Sequence, residues 1–103
     1  MTRIPTHRPP THPGEILLEE YLRPFGMSQV DLAVRIGVPI QRVNEIVKGR
    51  RGVSPDTALR LEAAFGASAQ FWLNAQLALD LYEQMHSPAA SAIKRIRRVQ
   101  IPA

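Results

Sequence analysis

Cysteine is absent from this chain of 103 residues. Its absence excludes a disulfide framework, thiol chemistry and any zinc site with cysteine ligands, and it suits a reducing compartment. Long apolar runs are missing too. No segment approaches the roughly 20 apolar residues of a membrane span, and the N-terminal stretch MTRIPTHRPPTHPGE lacks the apolar core of a secretory signal. We therefore expect a cytoplasmic protein with no membrane partner.

Catalytic and metal-binding signatures are scarce. The sequence has no H-E-x-x-H motif, no glycine-rich phosphate loop and no convincing nucleophile beside a base. The histidines, His7, His12 and His86, lack the close spacing of metal ligands. The length favours one domain with a modest core. We expect a binding protein without enzymatic activity, cofactor, metal or small-molecule substrate.

Basic charge, by contrast, is present and concentrated. The formal net charge is +4, but its distribution matters more than its size. Residues 35–51 and 94–98 are rich in Arg and Lys, whereas residues 52–86 are mainly acidic. A concentrated basic surface is what a polyanion such as nucleic acid would meet.

Helix boundary signals divide the first half of the chain. Prolines within residues 1–12 favour an extended arm, and Pro13 suits the first turn of a helix that ends near Pro24. Ser28, three residues before an Asp, has the spacing of a capping box, and Gly37 ends the second helix.

Similar signals predict three more helices, over residues 39–49, 54–66 and 68–88. No stretch shows sustained alternation of apolar and polar residues, so an all-α fold of five helices is expected. We divide the chain into an N-terminal arm (1–12), a helical domain (13–86) and a basic tail (87–103). The tail pattern fits an irregular arm, a short strand or a frayed helix.

The second and third helices have the pattern of a helix-turn-helix. Gly37 lies where the chain needs a backbone conformation that other residues resist, and Ala33 is small where the two helices come close. The positions that must pack between two steeply crossing helices are all apolar. They are Leu32, Ala33, Ile36, Val38, Val43 and Ile46.

The outward face of the third helix is polar. At about 100° per residue, Gln41, Glu45 and Lys48 lie opposite the apolar face, with Asn44 and Arg42 on the flanks. Such a face in the major groove of DNA allows Gln and Asn to bond adenine, Arg to bond guanine and Glu to accept from cytosine.

Phosphate contacts are expected around this face. Gln29 begins the bracing helix, where its side chain and nearby backbone amides suit a phosphate, and Lys48, Arg50 and Arg51 follow the recognition helix as backbone clamps. A helix pair joined at a Gly is often purely structural, and Glu45 would be repelled by phosphates unless it pairs with Arg42 or Lys48.

Three segments resemble HigA-type antitoxins, within the Xre-like (lambda-repressor-like) helix-turn-helix class. They are HPGEIL at 12–17, NEIVKGRRGVSPDTALRL at 44–61 and FGASAQFWLNAQ at 65–76, within a similarity that covers residues 12 to about 82. The resemblance implies a homodimer that binds its own operator DNA, represses its operon and neutralises a HigB toxin, a RelE-like ribonuclease that cleaves messenger RNA.

The resemblance also assigns residues. It places DNA contact at Gln29, Pro39, Gln41, Arg42, Asn44, Glu45, Lys48 and Arg50. It does not extend to the segment from Ser87 onward, and it transfers no toxin-binding residue. A stand-alone repressor without a toxin shares every DNA feature and is the alternative function. A protein-interaction module that has lost DNA binding is disfavoured by the polar face.

The long fifth helix carries two apolar stripes. One contains Phe71, Trp72 and Leu79, and the other contains Leu73, Leu77 and Leu81. Because a helix that is apolar on two sides is normally covered on two sides, we expect a homodimer interface here. The alternative is that the first helix covers the second stripe within one chain. The expected interface residues are Trp72, Leu73, Leu77 and Leu81.

Overall fold

The computed structural model describes residues 9–102, and within that range the chain is all-helical, as expected. The expectations for residues 1–8 lie outside the described residues. The helices are α1 (Pro13–Ile16), which continues as a π-helical segment (Leu17–Leu22), α2 (Gln29–Ile36), α3 (Ile40–Val47), α4 (Pro55–Phe65), α5 (Ala69–Met85) and α6 (Ala89–Lys94). None of these helices is long and apolar enough to cross a membrane.

The predicted helix starts are confirmed at three serines. The Ser28 hydroxyl accepts from the Asp31 N–H at 3.0 Å, and the Asp31 carboxylate accepts from the Ser28 N–H at 3.1 Å, which completes the capping box. Ser54 and Ser68 accept from the backbone N–H three residues ahead in the same way. Each serine satisfies one backbone donor that the first helical turn leaves free.

Three features of the helices differ from expectation. Pro39 is the N-cap of α3, with extended backbone (φ −62°, ψ 144°), and Ile40 is the first helical residue. The first helix is α-helical for one turn only, and its backbone bonds then lengthen to i−5, as in the Arg23 N–H to Leu18 carbonyl bond of 3.0 Å. The tail adds a sixth helix, because Pro88 precedes an Ala-rich run with high helix propensity, whereas α5 already ends at Met85.

Side chains from every helix between α1 and α5 meet in one core around Trp72. The Trp72 ring has an exposed fraction of 0% and lies 5.2 Å from the Tyr21 ring, centroid to centroid. The expectation that Trp72 lies in a dimer interface is therefore wrong, because its side chain has no surface left to offer a partner. Its largest fully buried companions are Leu17, Leu22, Leu32, Ile46 and Leu61.

Helix α1 approaches α3 so closely that only glycine fits between them. Gly14 is buried, and a Cβ placed on it would lie 1.7 Å from the carbonyl oxygen of Ile46 and 3.0 Å from the Cα of Val47. Both are backbone atoms, which no side-chain rotation can move away. The contact fixes α3 from behind, so the position of its outer face depends on α1 as well as on α2.

Candidate nucleic-acid interface

The helix-turn-helix packing is as the sequence predicts. Of the six apolar positions named above, five are buried and Val38 packs half-buried against the same core. Gly37 has φ 71° and ψ 39°, the left-handed conformation that favours glycine, and the Val38 N–H donates to the Ala33 carbonyl at 3.0 Å. The turn lets α2 brace α3 while the other side of α3 faces solvent.

The outer side of α3 is polar over its whole length. Gln41 and Lys48 are exposed, Asn44 is half-buried, and Glu45 is half-buried with a side chain that is 45% exposed. Pro39 is exposed at the start of the helix, and Gln29 is half-buried at the start of α2. The expected contact residues on α3 thus lie on the side of the helix that faces away from the buried Val43 and Ile46.

Arg42 is held at the edge of this face by α4. Its guanidinium donates to the Asp56 carboxylate at 3.0 Å, and the same oxygen accepts from Arg60 at 3.0 Å. Arg60 in turn donates to the carbonyl of Ile36, at the end of α2, at 2.7 Å. The three side chains therefore link the two helices of the motif to α4. The hydrogen bond from Arg60 and the nearby guanidinium of Arg42 lower the pKa of Asp56, so the carboxylate stays charged at neutral pH.

Glu45 has a different partner from the two considered in the sequence. Its carboxylate accepts from Arg51 at 2.7 Å, not from Arg42 or Lys48. The Glu45 carbonyl also accepts from the N–H groups of Arg50 and Arg51, at 2.8 and 3.2 Å. Glu45 therefore folds the following loop back over the end of α3. The pair also neutralises a carboxylate on a face that would otherwise repel phosphates.

Lys48 and Arg50 are basic side chains near the end of α3 that carry an exposed charge. Both are exposed, and within residues 9–102 neither forms an ion pair. Arg51 is exposed too but is committed to Glu45, so its expected part as a free clamp depends on that pair opening. In residues 9–102, no group of acidic and histidine side chains has the geometry of a metal site.

His12 caps α1, a contact that no pattern in the sequence predicted. Its Nδ1 accepts from the Gly14 N–H at 2.9 Å, so this nitrogen must be unprotonated. Burial lowers the pKa of His12, and the charges of Glu83 and Asp80 on α5 partly oppose that shift. The expected extended arm therefore ends in a side chain that belongs to the folded domain.

Two side-chain acceptors, on Gln76 and Asp56, join elements that are distant in the sequence. The Gln76 Oε1 accepts from the Val53 N–H at 2.9 Å, which ties the loop after α3 to the middle of α5. The Asp56–Arg60 pair had a visible signal, because opposite charges four residues apart on a helix are neighbours. Nothing in the sequence marked the contact between Asp56 and Arg42.

Within residues 9–102, most of the second apolar stripe of α5 remains uncovered. Leu77 and Leu81 are 54% and 42% exposed, and Met85 in the next turn is 52% exposed. Leu73 is half-buried against the core. The alternative that the first helix covers Leu77 and Leu81 is therefore wrong.

Comparison with known proteins assigns the arrangement to a family. A family model described as helix-turn-helix (HTH_3) matches residues 18–72, from the π-helical segment to Trp72. The chain belongs to this helix-turn-helix family. Its members are DNA-binding regulators and not enzymes.

Individual helix-turn-helix relatives are similar over most of their length. Virulence-associated protein I of Dichelobacter nodosus is 56% identical over 73 residues, which are 71% of this chain and 68% of that protein. A solved structure of Pseudomonas aeruginosa antitoxin HigA with the higBA promoter has a TM-score of 0.81 at 38% identity, and it covers 88% of this chain and 99% of its own. Antitoxin GraA in complex with its operator has a TM-score of 0.83 at 38% identity, with 97% and 100% covered.

Proposed function

We propose that this chain is an antitoxin of the HigA type that binds operator DNA as a homodimer, represses its own operon and neutralises a HigB-like ribonuclease toxin. The observation that carries the DNA-binding part is the outer face of α3, which is polar, uncovered and braced from behind by α1 and α2. Similar chains, at 38% identity, have been solved with a promoter or an operator.

The proposed contacts divide into residues that contact bases and residues that contact phosphates. Gln41 and Asn44 present amides to base edges, and Arg42 presents a guanidinium whose orientation Asp56 fixes. Lys48, Arg50 and the first turn of α2 at Gln29 would hold the phosphates on either side of the groove. Glu45 acts mainly by holding the loop, and contacts a base only when its ion pair with Arg51 opens.

The dimer is supported by the stripe on α5. Leu77, Leu81 and Met85 form an exposed apolar row, with Leu73 at its buried end. Apolar side chains aligned on one helix lose their contact with water when the same row of a second copy packs on them. A two-fold pair would present two α3 helices about one DNA turn, roughly 34 Å, apart.

The toxin-neutralising part is supported by the likeness to HigA and GraA antitoxins. The test is growth after induction of the small open reading frame beside this gene, alone and together with this chain. We expect arrest from the neighbour alone and relief when this chain is present. Footprinting of the upstream DNA with the purified chain tests repression separately.

The two assays separate the alternatives. Protection of upstream DNA without any growth arrest would support a stand-alone repressor. Arrest that this chain relieves without any DNA protection would support an antitoxin that does not regulate its operon. No protection and no relief would refute the proposed function altogether.

A further inference from the structure

We propose that the C-terminal tail is a second DNA-binding element, which contacts the phosphate backbone beside the bases that α3 binds. This inference rests on the proposed function, because it needs the chain to be on DNA. The basic part of the tail (87–103) begins at the last residue of α6 and carries four cations within five residues: Lys94, Arg95, Arg97 and Arg98.

The charge of the chain is concentrated in this tail to an unusual degree. The summed charge of these four cations equals the net charge of +4, because the other nine Lys and Arg residues balance the nine Asp and Glu residues. No acidic residue follows Glu83. Residues 91–102 are all exposed, and within the described chain none of the four cations forms an ion pair. Their charge is therefore available to a partner.

Helix α5, from whose end α6 and the tail continue, passes close to the end of α3. Gln76 on α5 bonds Val53, in the loop after α3, and the Glu83 and Asp80 charges farther along α5 act on His12. The His12 ring lies 3.7 Å from where a Cβ on Gly49 would be. The end of α5 thus runs past the end of α3, where Lys48 and Arg50 are free for phosphates.

The tail is also long enough. Residues 95–102 have no regular secondary structure, and beyond Ile96 the described chain makes no backbone hydrogen bond. The four residues from Arg95 to Arg98 span up to about 13 Å when extended, which is several phosphate spacings along a DNA strand. Three of the four cations are Arg, whose planar fork matches phosphate oxygens. DNA carries a charge about every 1.7 Å of its axis, so a short basic segment without fixed structure meets phosphates in any register, which favours DNA over an acidic protein patch.

The test uses the full chain with Lys94, Arg95, Arg97 and Arg98 all changed to Gln. Its charge-matched control changes Arg95, Arg97 and Arg98 to Lys. Binding to the footprinted upstream duplex and to a shuffled duplex of equal length is measured by fluorescence anisotropy over a range of salt concentrations. Thermal melting of each variant checks the fold, which we expect to be unchanged because the substituted side chains are exposed.

We expect the Gln variant to bind both duplexes more weakly and with a shallower salt dependence, while the preference for the upstream duplex stays within about two-fold. Each phosphate contact contributes about 0.9 to the salt slope, so losing one costs about 5-fold at about 0.15 M salt. The Lys control should keep most of the slope.

Two results would overturn the proposal. One is an unchanged affinity and slope for the Gln variant, with DNA binding by the wild-type chain intact. The other is unchanged DNA binding by a Gln variant that no longer relieves growth arrest, which would assign the tail to a protein partner. Failure of the proposed function is distinct from both, because the wild-type chain itself would then not bind the upstream duplex.

Discussion

Replacing Gly14 by Ala tests how α3 is held in position. Two effects oppose each other at this site. Helix propensity favours Ala over Gly by up to about 1 kcal/mol. The new Cβ, however, would lie 1.7 Å from the Ile46 carbonyl oxygen, and a tolerable contact of about 3 Å requires α1 and α3 to separate by more than about 1 Å.

The clash should win. Forcing one extra methyl into a packed site costs about 1 to 3 kcal/mol, and here the obstacle is backbone that cannot rotate away. We expect a net loss of about 1 to 2 kcal/mol in the free energy of unfolding. For a domain of this size each kcal/mol lowers the melting temperature by about 4 to 8 °C. Affinity for the upstream DNA should also fall, since α3 is displaced.

The assay is thermal and urea unfolding at one fixed protein concentration, because a dimer's apparent stability depends on concentration. Gln70 gives the matched control. It is the second residue of α5, as Gly14 is of α1, but it is exposed. Gln70→Ala should be more stable than Gln70→Gly by up to about 1 kcal/mol. A Gly14→Ala variant that is as stable as the wild type would refute the close-packing argument.

The remaining predictions concern a cap, a salt bridge and an interface. The folded-state pKa of His12 lies below 6.5, so the stability that this residue contributes is full above about pH 6.5 and is lost as the pH falls through the folded-state pKa. In urea unfolding across pH 5 to 8, the His12→Asn variant should lack this pH dependence. Curves of stability against pH that run parallel for the variant and the wild type would contradict the prediction. Asp56→Asn should release Arg42 and reduce the discrimination between upstream and shuffled DNA by about 1 to 3 kcal/mol, while the affinity for the shuffled duplex stays the same or rises. Anisotropy titrations measure both affinities, and an unchanged ratio between them would show that Asp56 does not orient Arg42 for base contact. Leu81→Asp should give a monomer in sedimentation experiments with the helical content unchanged, whereas a persistent dimer would exclude this face of α5.

The order of the helices and their start signals could be predicted from the sequence because those signals are local. Ser28 with Asp31, and Gly37 in its left-handed conformation, each act within a few residues of their own position. The buried set between α2 and α3 follows from helical periodicity in the same way. The sixth helix was open to prediction too, since Pro88 and the following alanines are local signals.

Contacts between distant residues were not open to prediction. The pairing of Arg42 with Asp56 depends on how α4 crosses α3, and the pairing of Glu45 with Arg51 depends on a loop that folds back. Trp72 shows the same limit. Helix α5 is apolar on two sides, and only the structure shows that the side with Trp72 faces the core. Periodicity predicts that a face is buried, but it does not tell a core from an interface.

The most direct test of the central claim is a comparison of the wild-type chain with the Gln41→Ala variant. Binding of each to the footprinted upstream duplex and to a shuffled duplex is measured at one salt concentration. If the outer face of α3 reads the bases, the variant should lose about 5- to 100-fold in preference for the upstream duplex and keep its affinity for the shuffled one. An unchanged preference, with the variant fully folded, would contradict the claim that this face of α3 reads DNA.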